Sequence, residues 1–169
     1  LPKKWKAACQ CIAQGKSRVV DVGIVNGRYF VNATGAGFDA AVANEVACSR
    51  KLIGGIWPYL FAVFRMLVRF KRGKIEFVFD DSIISTRAWL VAVTNGSTYG
   101  GGMKICPQAK IDDGFLDFCV IGDVSLWRVL YYLPLVIIGK HLGLPKIYSG
   151  KASKISLITP DYHFHMEGE

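Results

Sequence analysis

Residues Ile83–Thr94, IISTRAWLVAVT, constrain the fold more than any other stretch of this chain. β-Branched and aromatic residues dominate the run, and near its end both alternating sets, Leu90 with Ala92 and Val91 with Val93, are apolar. Side chains of a strand point to opposite faces in turn, so a strand apolar in both sets is covered on both sides and lies inside a sheet. Lys74–Phe79 (KIEFVF) supplies a hairpin partner across Asp80-Asp81-Ser82. The strand leads directly into Asn95–Asp117, NGSTYGGGMKICPQAKIDDGFLD, which gathers Gly96, Gly100, Gly101 and Gly102 into one loop and ends in Asp112-Asp113-Gly114. Glycine adopts positive φ freely, and successive N–H groups in such turns form anion-binding concavities. The loop is either a phosphate-binding site or a long hairpin connection.

Around this strand the other elements fall into a pattern of α+β, mainly β structure. Pro2–Gln14 carries apolar Trp5, Ala8, Cys9 and Ile12 at helical spacing and stops at Gly15. Arg18–Val25 and Arg28–Ala33 are strands joined at Asn26-Gly27, a hairpin turn signal. Thr34-Gly35-Ala36-Gly37 breaks the strand pattern as a glycine turn, which close packing explains or, on a weaker signal, a phosphate cradle, and delivers the chain to a helix over Phe38–Cys48. A second helix within Leu52–Lys74 places Arg65, Arg69 and Arg72 on one face, next to Trp57, Tyr59, Phe61 and Phe64. That helix is either a core element with a solvated basic edge or one lying on an anionic membrane surface. Phe115–Ile121 resumes β structure, Ser125 caps a helix Leu126–Lys140 that Pro134 kinks, and Lys140 and His141 favour its C-terminal dipole. Lys146–Tyr148, Lys154–Thr159 and Tyr162–Met166 are short strands.

With 51% hydrophobic and 20% charged residues the chain is globular, not disordered. Its 21 basic against 13 acidic residues give a net charge of +8 and predict an anionic partner. The basic residues form no recognisable nucleic-acid module, so nucleic acid is not expected. Five cysteines without a C-x-x-C pair read as reduced thiols of a cytosolic protein. Leu1 in place of a start methionine and the turn-like Glu167-Gly168 before Glu169 suggest an excerpt of a longer protein.

Three acidic groups can carry chemistry. Asp112-Asp113-Gly114 in a turn can bind Mg²⁺ or Ca²⁺ through a carboxylate and neighbouring carbonyls, or simply bond its own backbone. Glu167 and Glu169 flank Gly168 at a strand end, where a carboxylate can take a proton from a hydroxyl. His163, His165 and Glu167 alternate along one strand and so share a face that could ligate a transition metal, with Phe164 and Met166 toward the core; a polar strand face explains them equally.

GRYFVNATGAGFDAAVANEV (27–46), VAVTNGSTYGGGMKICPQAKIDDGFLDFCVI (91–121) and the terminal EGE resemble the bacterial diacylglycerol kinase and lipid kinase family in order and spacing. The specific part is the middle block, with N-G, Y-G-G-G, P and D-D-G-x-L-D in sequence. The resemblance implies that residues 1–169 are a single C-terminal domain, an antiparallel β-sandwich-like body with peripheral helices as in the second domain of the diacylglycerol kinase / NAD kinase-like fold. The family's ATP-binding domain, with its Gly-Gly-Asp-Gly-Thr motif, is absent from these residues. Transferred by position, a structural Mg²⁺ falls on the Asp113 side chain and the carbonyls of Lys110 and Phe115. Glu167 stands where the family carries the aspartate that acts as general base, and Glu169 matches the motif's glutamate. The implied reaction moves the ATP γ-phosphate to a lipid hydroxyl such as that of diacylglycerol, giving phosphatidic acid. Implied partners are ATP, a lipid substrate and an anionic membrane surface, with a homodimer as the candidate assembly and a cytoplasmic, peripherally membrane-associated location. The excerpt alone is expected to be inactive, and Tyr99–Gly102 to shape the wall of an inter-domain cleft. Two alternatives stay open: a non-catalytic membrane-surface module using Arg65, Arg69 and Arg72, and a β-sandwich metalloprotein using His163 and His165.

Overall fold

The structure, a computed structural model, describes residues 4–15, 17–48, 57–98 and 102–167. Its elements in chain order are α1 (Trp5–Ala13), β1 (Gly23–Val25), β2 (Arg28–Phe30), β3 (Ala33–Gly37), α2 (Phe38–Cys48), α3 (Trp57–Arg69), β4 (Gly73–Phe79), β5 (Ser82–Thr94), β6 (Leu116–Gly122), α4 (Leu126–Ile138), β7 (Ile147–Ala152), β8 (Ile155–Ile158) and β9 (Phe164–Met166). The expected fold class holds: an antiparallel β-sandwich-like domain with peripheral helices.

β5 organises it. Its first half, Ser82–Ala88, pairs with β4, which pairs in turn with β8; its second half, Leu90–Thr94, runs between β3 and β6. The full order is β7-β6-β5-β3-β9 with β4 and β8 branching from β5, and all pairings are antiparallel. The register of β5 against β6 shifts between Ala88 and Leu90, so the consecutive residues Trp89 and Leu90 both fall in one apolar cluster. A bulge of this kind bends its strand and folds the two halves of the sheet toward each other.

The doubly apolar sequence of β5 is thereby explained. Leu90 and Ala92 pack with Ile105, Cys119, Ile121, Val129, Tyr132 and Val136 beneath α3 and α4, and Val91 and Val93 pack with Phe30, Ile75, Phe77, Phe118 and Val120 between the sheet halves. Each fully buried side chain of this size contributes about 1.5–3 kcal/mol. Tyr162 locks the bend, its hydroxyl accepting from Gly73 N–H at 2.7 Å and donating to the Ala88 carbonyl while its ring stacks on Phe70. The Asn26-Gly27 turn has positive φ at both residues, 50° and 80°, as a tight hairpin turn requires.

Four local readings are corrected. Thr34-Gly35-Ala36-Gly37 is not a turn but strand β3, buried throughout and paired on both edges, so its N–H groups are committed to ladders and cannot cradle a phosphate. Glycine is needed there for room: a Cβ at Gly35 would lie 2.9 Å from His165 Nε2, and one at Gly37 2.6 Å from the Trp89 carbonyl. Ser125 sits at the N-terminus of α4 in extended conformation but makes no side-chain capping bond. His141 does not serve the helix dipole. α4 ends at left-handed Gly139, and His141 turns fully inward, its Nε2 donating to the Ile105 carbonyl at 3.0 Å. Burial pushes its imidazole below the usual pKa. Finally, Arg72 lies beyond α3 and pairs with Asp123 at 2.5 Å, while Arg65 pairs with Glu45 at 2.9 Å, so the three-arginine face does not form.

Candidate functional site

The Asp-Asp-Gly turn precedes β6 and is braced by the segment before β1. Arg18 Nε donates to Asp112 at 3.0 Å, Gly114 N–H donates to Asp21 Oδ2 at 2.8 Å, and Asp21 N–H donates to the Ile111 carbonyl at 2.7 Å. Gly114 takes φ +78°, which lets the chain reverse without Cβ strain. Asp113 Oδ1 accepts from Phe115 N–H at 3.3 Å, and its other oxygen is held by the Lys151 ammonium. That bond keeps the Asp113 carboxyl below its usual pKa and Lys151 above its own. Lys151 stands directly across from Asp117 in the β6–β7 ladder, with Nζ 3.8 Å from Asp117 Oδ2. Asp117 is fully buried and neither of its oxygens accepts a hydrogen bond. Burial pushes its pKa up and the Lys151 charge pulls it down. Two carboxylates, Asp113 and Asp117, thus face the single ammonium of Lys151.

Glu167 follows β9 with φ +56°, rare for a residue with a Cβ and costing of order 1–3 kcal/mol. The turn swings its side chain back across the sheet edge, where Oε1 accepts from Val31 N–H at 2.7 Å and Asn32 N–H at 2.8 Å. The other side of the same dipeptide is held by the start of the glycine loop. The N–H groups of Asn95 and Gly96 donate to the Asn32 carbonyl, and Asn95 Nδ2 donates to the carbonyls of Val31 and Asp21. The expected metal turn and the expected base therefore belong to one bonded framework: Gly114 to Asp21, Asp21 to Asn95, Asn95 to Val31-Asn32, and these to Glu167. Glu169 and Tyr99–Gly101 lie outside the described residues.

The His163, His165 and Glu167 face does not form. His165 is buried and its Nε2 meets Asp39 Oδ2 at 2.6 Å, in the space left by Gly35, whereas His163 is exposed and Glu167 leaves the strand. Among the described residues no three metal-ligating side chains converge. Met166 packs into the inter-sheet cluster as expected, but Phe164 remains half exposed.

Between the β1–β2 hairpin, β8 and the sheet lies a cavity of about 720 Å³. Val22, Ile24, Phe30, Val91, Val93 and Phe164 give it apolar walls, and Asp21 and Gly114 connect it to the Asp-Asp-Gly turn. Of the framework residues, Asn95 stands beside a glycine and Asp117 closes the D-D-G-x-L-D block, whereas Asp21 and Lys151 carry no local signal, because each gains its role only through pairing with residues distant in sequence.

The profile of the family described as the YegS C-terminal NAD kinase beta sandwich-like domain matches residues 32–169. A diacylglycerol kinase of Staphylococcus saprophyticus is 29% identical over 170 residues, covering 100% of this chain and 56% of that protein. One from Staphylococcus aureus (strain Newman) is 28% identical, with 54% of its length covered. The crystal structure of a candidate diacylglycerol kinase from Bacillus anthracis str. Sterne superposes with a TM-score of 0.70 at 25% identity, over 99% of this chain and 55% of that one. The chain thus spans about half the length of the curated relatives it matches.

Proposed function

This chain belongs to the YegS C-terminal NAD kinase beta sandwich-like family, and on that premise we propose that it is the lipid-binding and metal-binding part of a kinase that transfers the ATP γ-phosphate to a lipid hydroxyl such as that of diacylglycerol. The observation that carries this reading is the bonded framework joining Glu167 to the Asp-Asp-Gly turn beside an apolar cavity.

Glu167 is the base. Both backbone bonds fall on Oε1, so the carboxylate is fixed while Oε2 makes no hydrogen bond to a described residue. In the reaction Oε2 takes the hydroxyl proton, the lipid oxygen bonds to the γ-phosphorus, and ADP leaves with the bridging electron pair. Glutamate in place of the family aspartate reaches one methylene further; the Val31-Asn32 clamp restrains that extra freedom. The apolar part of the cavity wall, Val22, Ile24, Phe30, Val91, Val93 and Phe164, suits an acyl chain. The whole lipid kinase works peripherally at an anionic membrane, and no helix among the described residues is long and apolar enough to cross one.

Mg²⁺ would be held by Asp113 with the carbonyls of Lys110 and Phe115. Carboxylate and carbonyl oxygens are the donor type a hard cation takes, and buried Asp117 lies beside them with Oδ2 3.8 Å from Lys151 Nζ. Mg²⁺ there would stiffen the turn, and Lys151 would have to give way to it.

The test is phosphorylation of diacylglycerol by this chain joined to the nucleotide-binding domain that the resemblance implies. The expected result is turnover that Glu167→Gln abolishes, with none from residues 1–169 alone. Full turnover by the Glu167→Gln protein would refute the assignment. A second reading, a non-catalytic membrane-surface module, is favoured by the net charge of +8; it predicts no turnover in the joined protein.

A further inference from the structure

α4 buries one face and leaves the other without a partner. Val129, Tyr132 and Val136 enter the core, whereas Trp127 is 79% exposed, Leu130 37%, Tyr131 62%, Ile137 55% and Ile138 52%. These residues recur at helical spacing, so they form one continuous outer stripe, with exposed Pro134 on the same side. The stripe runs about 17 Å at 1.5 Å per residue. Isolated exposed apolar residues need no explanation; a stripe with a tryptophan and a tyrosine does.

The charge around the stripe identifies its partner. From Val124 to Pro145, which spans α4 and the turn after it, no aspartate or glutamate occurs, whereas Arg128 and Lys140 both lie there. Arg128 and Lys140 are exposed at the two ends of α4. Lys104 joins them in space: its N–H bonds the Val136 carbonyl, and its Cβ would lie 3.1 Å from a Cβ at Gly139. An apolar stripe rimmed by cations and containing Trp and Tyr is the composition of a helix seated at an anionic lipid–water interface. A second copy of the chain fits poorly, because the same cationic rim would face itself across a two-fold contact on molecules of charge +8.

We infer that α4 docks this domain onto anionic membranes, with Trp127, Leu130, Tyr131, Ile137 and Ile138 entering the interfacial region and Arg128, Lys104 and Lys140 pairing with lipid phosphates. This places membrane contact on α4, not on the arginines of α3, and it does not depend on the kinase reading. A domain that catalyses nothing would bind in the same way.

The experiment is co-sedimentation of the purified chain with large unilamellar vesicles of phosphatidylcholine containing 30 mol% phosphatidylglycerol, against phosphatidylcholine alone, on the scale set by about fivefold in affinity per basic residue engaged. The native chain is expected to pellet with the anionic vesicles and to be released by salt. Trp127→Ser/Ile137→Ser, exposed substitutions checked for folding by circular dichroism, should weaken binding at least about tenfold. Arg128→Gln/Lys140→Gln should weaken it only on the anionic vesicles, and Tyr29→Ser, exposed on the distant β1–β2 hairpin, should leave it unchanged. Absence of vesicle binding by the native chain overturns the inference, as does native-like binding by Trp127→Ser/Ile137→Ser. Light scattering that shows a native dimer converted to monomer by that same pair, without vesicle binding, would make the stripe a protein interface instead.

Discussion

Gly35→Ala is expected to damage the sheet more than its single methyl suggests. Gly35 is outside the left-handed region, so alanine meets no backbone penalty, and removing glycine's unfolded-state freedom alone would stabilise by about 0.5–1 kcal/mol. The new Cβ would however stand 2.5 Å from Asp39 Oδ2, 2.9 Å from His165 Nε2 and 3.0 Å from the Val91 carbonyl. The Val91 carbonyl belongs to β5, which cannot retreat, so relief must come from parting Asp39 and His165. Overpacking costs about 1–3 kcal/mol, and loss of a buried charge-assisted bond about 1.5–3 kcal/mol. After the entropic gain the net loss is about 1.5–5.5 kcal/mol. For a chain of this length that lowers Tm by about 3–20 °C. Urea unfolding followed by fluorescence measures it against the native protein. A Gly35→Ala protein within 1 kcal/mol of native would refute the reasoning that glycine here makes room for the pair.

Further outcomes follow from the same structure. In the protein joined to its nucleotide-binding domain, Glu167→Gln should lower kcat by roughly 10²–10⁴-fold with lipid KM little changed, the range for loss of a general base, as steady-state assays would show. Lys151→Met should let Mg²⁺ raise the Tm of the isolated chain where native protein responds less, because the ammonium no longer occupies Asp113; equal responses would mean the two cations do not compete. His141, held neutral below its ordinary pKa, contributes stability that is complete above about pH 6.5 and falls as pH drops toward its folded value, by up to about 1.4 kcal/mol per unit; His141→Gln should flatten that slope in pH-dependent unfolding. Burial pushes the Cys106 thiol to about 12 and Cys119 well above its ordinary value, so a thiol reagent should modify exposed Cys9 quickly and these two only as the chain unfolds.

Much of the fold was legible because its signals are local. Phe38–Cys48 is helical as its composition indicated, Asn26-Gly27 turns where that dipeptide must, and the doubly apolar end of β5 is central. Thr34–Gly37 misled for a physical reason: glycine in sequence signals a turn, but here it marks two places where another chain segment approaches a strand. His141 misled because charge at a helix end is a local expectation and burial is a tertiary fact. In the site, Asp113 and Glu167 were legible as turn and strand-end carboxylates. Their restraints were not, since Lys151 is 38 residues from Asp113 and Val31 is 136 from Glu167. The outer stripe of α4 was hidden as well: its residues are as apolar as the inner ones, and only the packing distinguishes them.

The pairing of β3 with β9 also has a temporal side. Thr34 Oγ1 bonds the His165 carbonyl across a separation of 131 residues. During synthesis at roughly 5–20 residues per second, one edge of β3 waits on the order of 7–25 s for its partner. Throughout that interval the nascent chain carries an open strand edge, the kind of template that other chains can join. The strand that covers this edge also delivers Glu167, so the carboxylate proposed as base reaches its clamp only once β3 is paired on both sides.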